Sequence, residues 1–126
     1  MHDIILVDTS VWVTHLREGL PDLVARLEEG EVSIHPFIIG ELACGNLKNR
    51  SEILSLLRSL PVTVVAEHEE IMSFIESNRL MGKGLGYVDV HLLAAAALSG
   101  VRVWTEDKAL ASASKTMGME FKRSVG

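Results

Sequence analysis

Four carboxylates occupy positions where the hydropathy pattern asks for apolar or neutral residues. Asp8 follows Ile4-Ile5-Leu6-Val7, at the carboxyl end of a predicted buried strand. In an open parallel sheet that end borders the crevice where ligands bind. Capping is the other explanation, but Thr9 and Ser10 already offer caps for the helix carrying Trp12 and Leu16. Glu41 lies three and four residues after Ile38 and Phe37, and three and four before Cys44 and Gly45. On a helix its neighbours are therefore mostly apolar, and a solvated face is not expected. Asp89 shares a helix side with Leu92, Leu93 and Ala96, unless it caps that helix. Asp107 follows a strand ending at Trp104 and precedes Lys108-Ala109-Leu110-Ala111, where capping explains it as well as catalysis does.

Together these acids say more than any one alone. If the first and fourth strands are neighbours where strand order reverses, Asp8 and Asp107 converge on one crevice, and Glu41 and Asp89 approach it from flanking helices. Carboxylates meeting in a partly dry cleft repel one another, and their segments supply too few Lys or Arg to neutralise them. A divalent cation does so. Mg²⁺ and Mn²⁺ favour oxygen ligands and leave places for phosphate oxygens, which suits metal-assisted hydrolysis of a phosphodiester.

The elements that must position these acids read as α/β. Short β-branched runs at 4–7, 62–65 and 101–104 alternate with longer segments of helical period, and residues 32–34 and 119–121 are further strand candidates. Pro21 opens a helix through about Glu29, Gly30 stops it, and Pro36 starts the next. Ser51 or Glu52 opens a helix that ends before Pro61. Residues 69–80 are amphipathic, and 87–98 are nearly all apolar after Asp89 and His91, so that helix should pack tightly on the sheet until Gly100 ends it.

With 126 residues, 48% of them hydrophobic, the chain is expected to fold as a single domain over 1–126. Twelve basic against 17 acidic residues, a net charge of −5, exclude a protein that coats nucleic acid through its whole-molecule field. A single cysteine, Cys44, excludes an internal disulfide and is expected to be a small buried hydrophobe. The apolar run at 4–7 is too short to span a bilayer and lacks a basic leader, so a cytoplasmic location without membrane insertion is expected.

The five histidines show no helical zinc pairing and are expected at surfaces or caps, with His91 pointing away from Asp89. Gly82-Lys83-Gly84-Leu85-Gly86 lacks Walker spacing; Lys83 is a candidate phosphate contact beside the Asp89 helix. Arg17, Lys48, Arg50 and Arg79 are further candidates for a basic rim, which an acidic protein acting on an anionic polymer needs. Trp12, Leu16 and Leu47 are core candidates that could instead offer apolar surface to a partner.

Val7-Asp8-Thr9-Ser10-Val11-Trp12-Val13, Gly40-Glu41-Leu42, Gly86-Tyr87-Val88-Asp89-Val90-His91-Leu92-Leu93-Ala94-Ala95-Ala96 and Trp104-Thr105-Glu106-Asp107-Lys108 recur in order along nearly the whole chain. In this the chain resembles the PIN-domain ribonucleases, and among them the toxins of VapBC toxin-antitoxin pairs. The resemblance implies a five-stranded parallel sheet of order 3-2-1-4-5 flanked by helices, Mg²⁺ or Mn²⁺ as cofactor, and endonucleolytic cutting of RNA. It places Asp8, Glu41, Asp89 and Asp107 in the acidic metal site, supported by Thr9, Ser10 and Thr105. It also implies a small cognate antitoxin and a homodimer. One departure stands out: many relatives carry a further acid two places after the one matching Asp107, then an aromatic, where this chain has Ala109 and Leu110. Glu106 could therefore replace or second Asp107.

Rival readings differ in class. A phospho-accepting receiver domain needs an acceptor Asp after a middle strand, and none lies between Asp22 and Asp89. A Ser-His-Asp site lacks a Gly-x-Ser-x-Gly elbow. A catalytically silent module keeping the fold and acting through a protein or RNA partner is the remaining alternative, and the presence of all four acids favours the enzyme over it.

Overall fold

A strand that is apolar on both faces has to lie inside a sheet, and β1 (Ile5–Val7), buried at every residue, forms its centre. The structure is a computed structural model, and it describes residues 3–123. On one side β1 pairs with β2 (Val32–Ser33), with Ile5 opposite Val32 and Leu6 opposite Ser33. On the other it pairs with β3 (Arg102–Trp104), with Ile5, Leu6 and Val7 opposite Arg102, Val103 and Trp104. All pairings are parallel, in the order β2-β1-β3.

Among the described residues the five strands expected from the sequence become three, with each outer strand reduced to one isolated parallel bridge, Ile34 with Val62 and Val103 with Glu120. Those bridges lie on the flanks required by the order 3-2-1-4-5. The shortening has local causes. After Ile34 the chain turns into a helix at Pro36, so Val64 has no strand beside it and donates its N–H to Ser99 Oγ at 2.9 Å. At the other edge the hydrogen bonds centre on Val103 alone, from Val103 N to Met119 O at 2.7 Å and from Phe121 N to Val103 O at 2.9 Å.

Helices follow each strand: α1 (Thr9–Glu18) and α2 (Pro21–Glu28), then α3 (Pro36–Ala43), α4 (Arg50–Ser59), α5 (His68–Asn78) and α6 (Tyr87–Ser99), and finally α7 (Lys108–Thr116). Their bounds fall within a residue or two of those read from the caps and prolines. Val90 through Ala96 of α6 are all buried, as expected for an alanine-rich helix lying close on a sheet. Gly100, in the left-handed region at φ 68°, ends α6 where a side chain would be strained. The core joins Leu6, Val11, Trp12, Ile38, Leu92, Leu93, Val103 and Leu110, so Trp12 packs inside. Among the described residues no helix is long and apolar enough to cross a membrane. His2 lies outside the described residues.

Candidate active site

The carboxyl ends of β1 and β3 are adjacent because the two strands pair directly, and Asp8 N donates to Trp104 O at 2.9 Å across them. Asp8 stands at the N-cap of α1 but makes no side-chain cap bond. Its carboxylate turns towards the opposite loop: Oδ2 accepts from Thr105 Oγ1 at 2.7 Å and from Ser10 Oγ at 2.8 Å. Those hydroxyls accept in turn, Ser10 Oγ from Glu106 N at 2.9 Å and Thr105 Oγ1 from Asp107 N at 3.0 Å. Two relays thus run from the loop backbone through one hydroxyl each to a carboxylate only 7% exposed. Each hydroxyl both donates and accepts, which a methyl group in its place could not do.

Asp107 caps α7, its Oδ2 accepting from Leu110 N at 2.8 Å. Asp89 Oδ2 likewise accepts from Gly86 N at 2.8 Å, at the start of α6. Capping therefore uses only half of each carboxylate: one oxygen holds a helix end, and the other accepts no hydrogen bond among the described residues. Burial raises the Asp89 pKa above the usual carboxylate range, the Gly86 N–H opposes this, and the negative charges of Asp107 and Asp8 raise it further. The three aspartates thus share one electrostatic site. Glu106 is drawn elsewhere, its Oε1 accepting from Thr14 Oγ1 of α1 at 2.7 Å. Asp107, not Glu106, is the acid that Asp89 senses.

Glu41 corrects one expectation. It is exposed, because α1, α3 and α4 leave a groove there instead of closing over it. The groove, of about 590 Å³, is lined by Val13, Leu16, Leu42 and Leu47 beside Arg17 and Lys48. Thr9 holds the carboxylate from α1, donating to Glu41 Oε1 at 2.6 Å. Arg17 pairs with Glu18 at 2.8 Å, with both side chains exposed. Cys44 is exposed as well, contrary to expectation, because it follows the last turn of α3 at the mouth of the helix pair.

Among the described residues, none of the four acids forms an ion pair, and no three His, Cys, Asp or Glu side chains stand close enough together to hold a metal ion directly. Asp8, Asp89 and Asp107 nonetheless make the donor set of a hard cation, all oxygen, mutually repelling and each with a free oxygen, while Glu41 is not among the charges that act on Asp89. The 82–86 loop lies beside the site. A Cβ on Gly84 would come within 3.7 Å of Ala109 Cβ, and Gly82 and Gly84 adopt φ of 72° and 77°. Lys83 between them is exposed.

Two histidines have more structure around them than their spacing suggested. His35 is fully buried and caps α3, its Nδ1 accepting from Phe37 N at 3.0 Å. The His35-Pro36 step is the signal that could have shown it, an acceptor followed by Pro at N1. His91, expected at a surface or cap, is 4% exposed. It packs against Tyr87 one turn earlier on α6 and against Phe37 of α3 and His35, and the last two contacts are ones that spacing along one helix cannot reveal.

The PIN-domain family model matches residues 5–115. Ribonuclease VapC32 from two strains of Mycobacterium tuberculosis is 43% identical over 122 residues, covering 96% of this chain and 98% of the relative. Among solved structures, the crystal structure of PAE2754 from Pyrobaculum aerophilum superposes with a TM-score of 0.63 at 20% identity, covering 90% of this chain and 86% of the other.

Proposed function

The chain belongs to the PIN-domain family, and from that premise we propose that it is a metal-dependent endoribonuclease, the toxin of a type II toxin-antitoxin pair. The observation that carries the reading is the electrostatic meeting of Asp8, Asp89 and Asp107, which come from three separate elements, at the carboxyl edge of the parallel sheet. A site that holds like charges together without a cation of its own is arranged for one from outside.

Asp8, Asp89 and Asp107, with Glu41 on the neighbouring helix, are the residues that would hold Mg²⁺ or Mn²⁺. When bound, the ion supplies an activated water and neutralises charge on the oxygens of the RNA phosphodiester. The chain's own residues do the positioning. Ser10 and Thr105 fix Asp8 and tie it to the loop bearing Asp107. Thr9 aims Glu41 into the groove, and Glu106, bonded to Thr14, fastens the loop to α1. Lys83 and Arg17 meet phosphates at two rims of the site. The apolar groove beside Glu41 suits a small cognate antitoxin, whose side chains would cover the acid. The active form is a cytoplasmic homodimer built from one domain per chain.

The separation of the carboxylates favours a second reading, a catalytically silent module that binds a protein or RNA partner. One experiment separates the two. Mixed cellular RNA is incubated with wild type and with Asp8→Asn, each in Mg²⁺, in Mn²⁺ and in EDTA. Discrete cuts that need both Asp8 and metal support the nuclease; cutting that survives the substitution overturns the site; no cutting in any lane supports the silent module.

A further inference from the structure

Of the three Phe, two Trp and one Tyr in the chain, only Phe37 and Tyr87 are exposed, at 37% and 45%. Exposed aromatic rings scattered over a surface need no explanation, but these two share a neighbour. Both pack edge-on against His91, with centroids 4.6 and 4.7 Å from it and interplanar angles of 63° and 77°. His91 is buried, so it acts as a fixed post for both rings. Each ring has a second tether as well: Phe37 lies 5.0 Å from the buried His35, and Tyr87 Oη is 2.7 Å from His68 Nδ1. Side chains free to rotate lose entropy on binding; these are already held.

Their place in the fold connects them to the acids. Phe37 precedes Glu41 by four residues and so shares its side of α3, and Tyr87 joins Phe37 through His91, on the side of α6 away from Asp89. A chain of net charge −5 with clustered carboxylates repels phosphates, so its hold on RNA must draw on groups that see the bases. Stacking on an aromatic ring does this for unpaired bases of any sequence.

We propose that Tyr87 and Phe37 form a stacking platform for an unpaired base that flanks the scissile bond on the Glu41 side of the site, with His91 as the positioning residue that sets the angle of both rings. This rests on the nuclease reading above and adds the residues that seat its substrate. The rival occupant of the same rings is a second copy of the chain.

The test uses the full chain and a single-stranded oligoribonucleotide that copies a site the wild type cuts, with 2-aminopurine at successive positions. In the Asp8→Asn background, fluorescence should be quenched at one or two positions beside the cut. Tyr87→Leu and Phe37→Leu, which keep apolar bulk but remove the ring, should lose that quenching and raise KM by about tenfold or more with kcat little changed. Tyr87→Phe and Tyr87→Trp, which keep a ring, should restore both. Unchanged KM and quenching in both Leu variants would overturn the platform while leaving the nuclease reading intact. So would conversion of a dimer to a monomer by the Leu variants in sedimentation, which would assign the rings to a contact between copies. A wild type that cuts nothing would overturn both readings.

Discussion

His35 allows an electrostatic prediction with a magnitude. Its imidazole is fully buried at the start of α3, with Nδ1 accepting from Phe37 N, so the ring proton sits on Nε2 and finds no acceptor among the described residues. Burial first, and the charge of His91 second, lower its pKa from 6.5 to about 4. Protonation would place a second N–H against that of Phe37 and a positive charge at the positive end of the helix. The sign follows. The folded state holds His35 neutral, so this contribution is fully present above pH 6.5 and is lost as pH falls from 6.5 towards 4. Over that interval, at about 1.36 kcal/mol per pH unit, the loss is about 3 kcal/mol. With a urea slope of about 1–3 kcal/mol per molar, the unfolding midpoint should fall by about 1–3 M from this group alone. The assay is urea unfolding of wild type and His35→Asn at half-unit steps from pH 7.5 to 4. Asn keeps an acceptor for the cap but does not titrate. The variant should start lower at pH 7.5, because it fills the site less well, and then lose less than the wild type as pH falls. Parallel curves for the two proteins would refute the reasoning, as would an NMR titration placing the His35 pKa near 6.5. Because α3 carries Glu41, wild-type cleavage should decline over the same acid range.

The other expectations concern the acidic cluster and its rim. Asp89→Asn keeps an oxygen for the Gly86 N–H but removes a charge that burial, Asp107 and Asp8 all disfavour. It should therefore raise the melting temperature in EDTA while abolishing cleavage; a lower melting temperature would contradict the repulsion argument. Ser10→Ala and Thr105→Val each remove one of the two donors to the buried Asp8 and leave a loop N–H without its acceptor. Each should cost about 1–3 kcal/mol in denaturant unfolding and slow cleavage. Lys83→Ala should weaken RNA binding at low salt and reduce the slope of log affinity against log salt by about one, measured by filter binding on the Asp8→Asn protein. An unchanged slope would remove Lys83 from the phosphate path.

The alternation of β-branched runs with helical periods, read from residues such as 4–7 and 87–98, was enough to place the chain in the α/β class, because the periods of strand and helix are local properties. The same holds for Asp8 and Asp107, whose places after strands made them neighbours once the parallel order was assumed. Three things needed the tertiary structure. The outer strands are single bridges, since ladder length depends on what the partner does next, and β2 turns into α3 after Ile34. Glu41 is exposed despite apolar neighbours along its helix, because helical periodicity shows which residues share a face but not whether another element covers it. Asp107 rather than Glu106 adds its charge to that acting on Asp89, while Glu106 is held by the Thr14 hydroxyl on a helix more than ninety residues away. The Phe37, Tyr87 and His91 cluster is of the same kind. Local chemistry sets what each segment is, and contacts between distant segments set which side chains meet.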